Sequence, residues 1–164
     1  MKRGNQQGAT LIEVLVSMFL LGVAVIGFVA LQVRSMSVTG ESVSRAQAMA
    51  IAQDLSERMR ANYSQLAAYS AANWALTPNA DCYTAACTPA QIVLFDVRLT
   101  RDALSSLPNG SISVARCTGY NNTCIYVAWG DTTTATDGGA NACTTPAGTY
   151  VSGVIPDCVM LEVY

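Results

Sequence analysis

Two hydrophobic patterns follow one another in the first part of the chain. From Ala9 to Val33 most positions are apolar, and Glu13 is the only charged residue. A helix over this range would be about 37 Å long, enough to cross a bilayer core of about 30 Å. The first pattern therefore predicts a membrane-spanning helix over residues 9–33.

The second pattern is amphipathic. Apolar residues recur near helical spacing at Met36, Val43, Ala46, Ala50, Ile51, Leu55 and Met59. Two acid–base pairs four residues apart also favour a helix, Glu41 with Arg45 and Asp54 with Arg58. We predict an amphipathic helix over residues 34–61, continuous with the first because no proline precedes Pro78, with its apolar stripe packed on a sheet.

Small and polar residues dominate from Asn62 to Pro89, which indicates an irregular connection with a short helix around Gln65–Trp74. In an extended segment, Val93, Phe95, Val97 and Leu99 would lie on one face and the two charges, Asp96 and Arg98, on the other, which predicts a strand over 92–99. A short helix is expected over 101–107.

The remaining segments read as strands separated by turns. The sequence Leu107-Pro108-Asn109-Gly110 is a turn signal, and strands are predicted over 111–116, 125–129 and 157–164. The Thr- and Gly-rich residues 130–153 are expected to form a surface loop. These patterns together predict an α+β fold with a globular head over residues 62–164.

The residues around the apolar run restrict its role. Lys2 and Arg3 precede it, so the positive-inside rule predicts a cytoplasmic N-terminus and a head beyond the membrane. A cleaved secretory signal has an apolar core of about 7–15 residues, which is shorter than this run. A plain anchor explains the length but not Glu13, since a carboxylate costs about 2.5–3.5 kcal/mol at the centre of a membrane helix.

The segment Gly8-Ala9-Thr10-Leu11-Ile12-Glu13 resembles the class III signal of type IV pilins and pseudopilins. That signal is a short basic leader ending in glycine, followed by an apolar helix with a glutamate in its first turns. The resemblance implies that prepilin peptidase removes residues 1–8 by cutting between Gly8 and Ala9, and methylates the amine of Ala9. The family usually has phenylalanine where this chain has Ala9. It also implies that Glu13 neutralises the N-terminal amine of a neighbouring subunit.

The head adds a looser likeness to PilV-type minor pilins. It rests on the Leu107–Gly110 turn, a strand, a hairpin and a strand ending in Trp129. The resemblance implies a pilin-like fold, in which a long N-terminal helix packs on a small antiparallel sheet with disulfide-bonded loops. It also implies a minor pilin of a bacterial type IV pilus that takes part in priming or tip assembly.

The same resemblance implies the partners and the location. The partners are prepilin peptidase, the major pilin, other minor pilins and a pilus-tip adhesin. The subunit is expected in the inner membrane, with its head in the periplasm, and afterwards in the pilus at the cell surface. No cofactor is implied.

Six cysteines lie in the second half of the chain, and an even number beyond a membrane anchor favours disulfides in an oxidising compartment. Many complete pairings are possible, so the connectivity does not follow from the sequence. We predict sequential pairs, Cys82–Cys87, Cys117–Cys124 and Cys143–Cys158. A zinc site is disfavoured because the chain has no histidine and no Cys-x-x-Cys spacing. No metal site is expected.

Other functions have less support. Without histidine the chain lacks Ser–His and Cys–His catalytic pairs, and it has no Gly-rich phosphate loop, so we expect no enzymatic activity. Loss of Lys2 and Arg3 with the leader makes the mature chain more acidic than the formal charge of −2 of the whole sequence, which argues against nucleic-acid binding. Three alternatives remain open: a minor pseudopilin of a type II secretion system, a competence-pilus subunit and a membrane-anchored periplasmic enzyme.

Overall fold

A computed structural model describes residues 10–76, 78–117, 120–151 and 157–163. The chain divides into two compact units, Met1–Glu41 and Ser42–Tyr164. The first helix, α1, spans Leu11–Ala61, and its residues from Ser42 onward belong to the second unit. As predicted, helical structure continues through Gly22, Gly27 and Gly40, in the absence of proline.

The second unit contains the remaining helices and all three strands of the α+β fold. After a 3₁₀ turn at Tyr63–Gln65 come α2, Leu66–Ala71, and α3, Pro89–Leu104. Three strands follow, β1 at Ser111–Arg116, β2 at Thr123–Ala128 and β3 at Cys158–Glu162. They form an antiparallel sheet in the order β1-β2-β3, so β2 is the central strand. The predicted α+β fold with a small antiparallel sheet is confirmed.

The sheet is buried on both faces of β2. Ile125 and Val127 point to one side, where they join a core with Ile51, Leu55 and Met59 of α1. These α1 residues follow helical spacing and are 0–9% exposed, so this part of the helix supplies a continuous apolar ridge. Burial of such a ridge, rather than helix propensity, stabilises this end of α1.

The opposite face carries the cysteine-rich core. Cys124, Tyr126 and Ala128 of β2 pack there with three further cysteines, Cys117, Cys143 and Cys158. Residues 130–153 were predicted to form a surface loop, but Cys143 and Thr144, in the described part of this segment, are fully buried. This expectation was wrong for the middle of the segment because it covers one side of the sheet.

The predicted turn before β1 requires a residue without a side chain. A Cβ on Gly110 would lie 2.6 Å from the carbonyl oxygen of Leu104, a distance that backbone atoms cannot accommodate. The neighbouring Pro108 carbonyl accepts a 2.8 Å hydrogen bond from the amide of Gly130, which ties this turn to the end of β2.

Two predictions about the head are wrong. Residues 92–99 were predicted to form a strand and 101–107 a separate helix, but a single helix, α3, covers Pro89–Leu104. Thr88 starts it with a capping box: its hydroxyl accepts from the amide of Gln91, whose side chain accepts from the amide of Thr88. Pro89, with its fixed φ, suits the first turn.

The predicted apolar stripe of α1 is also shorter than expected. Met36 is 75% exposed and Val43 is 49% exposed, and Ala46 and Ala50 are exposed as well. Burial begins at Ala48, where the sheet and the other helices supply partners. Helical spacing alone could not show where along the stripe that packing starts.

Candidate functional site

The predicted assembly residue, Glu13, lies in the first turn of α1. Its amide donates a 3.0 Å hydrogen bond to the carbonyl of Thr10, and its own carbonyl accepts a 2.7 Å bond from the hydroxyl of Ser17. These contacts involve the backbone of Glu13. Within the part of the chain that the structure describes, its carboxylate forms no ion pair.

An apolar surface surrounds Glu13. The large hydrophobic side chains from Leu11 to Val33 are exposed, and none of the most apolar window of α1 is buried within the chain. By length and composition this helix can cross a membrane. A shallow groove beside Glu13 is lined by Val14, Ser17, Met18 and Leu21. The carboxylate therefore stands next to an apolar surface that requires a lipid or protein partner.

Gly8 and Ala9, the predicted cleavage and methylation residues, lie outside the described residues. Their assignment stays a prediction from the sequence.

All six cysteines are paired in the structure, as Cys82–Cys87, Cys117–Cys124 and Cys143–Cys158. These are the sequential pairs. Cys117–Cys124 closes the hairpin between β1 and β2, and Cys143–Cys158 joins the long segment after β2 to β3. Cys82–Cys87 closes a short loop in the connection before α3. Among the described residues, no group of three or more acidic, cysteine or histidine side chains is arranged to hold a metal.

A buried polar cluster in the head was not found from the sequence. Asp96 of α3 is only 2% exposed, and its carboxylate accepts a 2.5 Å hydrogen bond from the hydroxyl of Tyr69. Arg58 of α1 donates to the other carboxylate oxygen at 3.3 Å and also donates to Asp54 at 2.8 Å. The Asp96 carboxylate of α3 thus contacts side chains from both α1 and α2.

The electrostatics of this cluster follow from burial. Removal from water raises the pKa of the Asp96 carboxyl, although the hydrogen bonds from Tyr69 and Arg58 and the charge of Arg58 oppose that rise. Burial and the hydrogen bond to Asp96 also raise the pKa of the Tyr69 hydroxyl. The pKa of Arg58 is raised mainly by its hydrogen bond to Asp54, so Arg58 is a permanent cation here.

Two members of the cluster, Arg58 and Asp96, line an open cleft. Its other lining residues include Asn62, Pro89, Ile92 and Phe95, so most of the wall is apolar. Asn62 donates a 2.9 Å hydrogen bond to the carbonyl of Pro89, which fixes the start of α3 against the end of α1. A sequence signal for the burial of Asp96 did exist: Val93, Asp96, Val97, Thr100 and Leu104 fall on one helical face, and all are buried.

Family comparisons cover the first half of the chain. Residues 3–29 match the prokaryotic N-terminal methylation motif, and residues 30–98 match the family described as type IV pilin Tt1218. The chain matches no curated protein and no solved structure. The methylation motif includes Gly8, Ala9 and Glu13, and the pilin match reaches from within α1 into α3. Over residues 3–98 the chain therefore resembles type IV pilins, and its long N-terminal helix and small antiparallel sheet give it a pilin-like fold.

Proposed function

We propose that this protein is a minor pilin of a bacterial type IV pilus, of the PilV type, and that it acts as a structural subunit without enzymatic activity. Prepilin peptidase cuts between Gly8 and Ala9 on the cytoplasmic side and methylates Ala9. The helix then holds the subunit in the inner membrane with its head in the periplasm. The match to a type IV pilin family supports a pilus over a type II secretion filament.

The observation that carries the proposal is the position of Glu13. It is an acid in the first turn of an exposed apolar helix, with no ion pair among the described residues. In a filament, the amine of Ala9 of an adjacent subunit supplies the missing positive charge. Pairing the two charges offsets much of the cost of burying each one among apolar helices.

The groove beside Glu13 supports the same mechanism. Val14, Met18 and Leu21 provide an apolar seat for a neighbouring helix along the face that carries the acid. Packing in the groove gives van der Waals attraction, while the ion pair favours the register that brings an amine to Glu13. The apolar packing and the ion pair then act together to hold the subunit in the filament.

Partners follow from this mechanism. The helix joins the major pilin and other minor pilins, and the exported head contributes to priming or to the tip complex, with a tip adhesin as a further partner. Since prepilin processing is common to pilins and pseudopilins, the helix alone does not distinguish the two filaments. Co-purification with sheared pili distinguishes them.

The test replaces Glu13 by Ala in a strain that lacks the wild-type gene. Glu13→Ala should insert in the membrane at the wild-type level but be depleted at least about tenfold from sheared filaments, because the amine of the neighbour would stay unpaired. Glu41→Ala removes an exposed acid farther along the same helix and is the matched control. Normal incorporation of Glu13→Ala would contradict the proposal.

A further inference from the structure

Asp96 has two hydrogen-bond partners that differ in chemistry. Tyr69 presents a hydroxyl, which can donate or accept, at 2.5 Å. Arg58 presents a guanidinium, which can only donate, at 3.3 Å. The Asp96 side chain is 3% exposed, whereas that of Arg58 is 34% exposed. The acid is thus enclosed, and its cationic partner reaches solvent.

The two contacts respond differently to a proton on Asp96. The Tyr69 hydroxyl can donate to an ionised carboxylate, and it can donate to or accept from a neutral carboxyl group. This hydrogen bond therefore persists in both states. The Arg58 contact is long and depends on the negative charge, so it weakens when that charge is neutralised.

Arg58 has a second anchor. Its Nε donates to Asp54 at 2.8 Å, and the Asp54 side chain is 59% exposed. If Arg58 leaves Asp96, it retains this ion pair one helical turn away. Separation from Asp96 consequently does not leave an unpaired buried cation, which would be far more costly.

The charged surroundings of Asp96 are limited. Among the described residues, Arg58 and Asp54 of α1 and Tyr69 of α2 are the titratable groups that face it. Burial raises the pKa of its carboxyl and so favours proton uptake under milder acid than an exposed aspartate requires.

We propose that Asp96 and Arg58 form a pH-sensitive latch in the head, in which a proton taken up by Asp96 releases Arg58 while Tyr69 continues to hold Asp96. The step adds one proton to one carboxylate oxygen and breaks the ion pair with the guanidinium. No other bond changes.

Release alters the cleft that Arg58 and Asp96 line. Arg58 lines this cleft together with Asn62, Pro89, Ile92 and Phe95. In the latched state its charge is shared between Asp54 and Asp96. In the released state it is held by Asp54 alone and is displaced from the Asp96 side of the cleft. External acidity would thereby change the polar surface that the head presents.

The test follows both groups in the full mature protein in detergent micelles. Aspartate carboxyl carbons and arginine guanidinium nitrogens are isotopically labelled, and NMR spectra are recorded from about pH 8 to about pH 4. The Asp96 resonance should titrate above the ordinary aspartate range, and the Arg58 guanidinium resonances should shift at the same midpoint. The Tyr69 ring resonances should show no loss of contact with Asp96.

Two variants isolate the latch. In Asp96→Asn, the Arg58 resonances should stay at the acid-limit position throughout the titration. In the matched control, Asp102→Asn, at an exposed position on α3, the step shared by Asp96 and Arg58 should remain. If Asp96→Asn does not fold, the joint titration of Asp96 and Arg58 in the unaltered protein decides. Titration of Asp96 in the ordinary range, or an Arg58 signal that moves independently of Asp96, would overturn the proposal.

Discussion

The hydroxyl of Tyr69 and the carboxylate of Asp96 meet at 2.5 Å, and this hydrogen bond joins α2 to α3 inside the head. Arg58 adds α1 to the same group. Each of the three helices thus contributes one side chain to a cluster built around a single buried acid. Because a neutral carboxyl is buried at lower cost than a carboxylate, the stability of this packing should depend on pH.

Asp96→Asn tests the direction of that dependence. The folded-state pKa of Asp96 is raised, so its contribution to stability is present in acid and is lost as pH rises through that pKa. An asparagine remains neutral at every pH. The variant should therefore be more stable than the unaltered protein near pH 7, and the difference should shrink as pH falls.

Thermal unfolding of the mature protein in micelles, followed by tryptophan fluorescence at several pH values, provides the measurement. Asp102→Asn, an exposed substitution on the same helix, is the control and should leave the pH dependence unchanged. A variant Asp96→Asn that is destabilised equally at all pH values would contradict the expectation.

Thr88 and Gln91 should determine how firmly α3 begins. Thr88→Ala removes the hydroxyl that accepts from the amide of Gln91, so we expect a loss of about 1 kcal/mol in the free energy of unfolding. Denaturant titration measures it. Thr84→Ala, at an exposed position in the preceding loop, should have little effect. Equal losses in the two variants would show that the cap does not contribute to stability.

The same residues explain why the sequence of α3 also fits a strand. Alternation at Val93, Phe95, Val97 and Leu99 fits a strand, but Leu99 is only partly buried, and Asp96, assigned to the polar face, is fully enclosed. Thr88, Pro89 and Gln91 contain a helix start signal that competes with this alternation. A short apolar stretch can fit both the helical and the strand periodicity. In this segment the capping residues indicate a helix more strongly than the alternation indicates a strand.

The buried disulfide should contribute more to stability than the loop disulfide. Cys143 and Cys158 are both fully buried and 15 residues apart, whereas Cys82 and Cys87 are partly exposed and 5 apart. A longer closed loop restricts the unfolded chain more, by about 3 kcal/mol for 15 residues. Paired replacement of Cys143 and Cys158 by Ser should therefore lower stability by about 2–5 kcal/mol.

Paired replacement of Cys82 and Cys87 by Ser is the matched comparison and should cost less. Both double variants can be compared by urea unfolding of the mature protein. A larger loss of stability in the variant without Cys82 and Cys87 would contradict this ranking of the two disulfides.

Local sequence was informative where a residue conflicts with its surroundings. A functional role for Glu13 could be predicted because it is the one charge in an apolar run. The three strands of the sheet could be predicted from alternation and turn residues. The Asp96 cluster could not be predicted in this way. Arg58 lies 38 positions before Asp96 and Tyr69 lies 27 positions before it, and only packing of the three helices brings these residues together. The start of burial at Ala48 likewise depends on where the sheet contacts α1.

The central claim is that the N-terminal segment is a prepilin signal, and mass spectrometry of the mature N-terminus tests it most directly. The protein is purified from the membranes of its own host, and Gly8→Ala serves as an uncleaved control. The account predicts a chain that begins at N-methylated Ala9 in the unaltered protein and at Met1 in the control. An unaltered protein that begins at Met1, or that is cut beyond Val33, would contradict it.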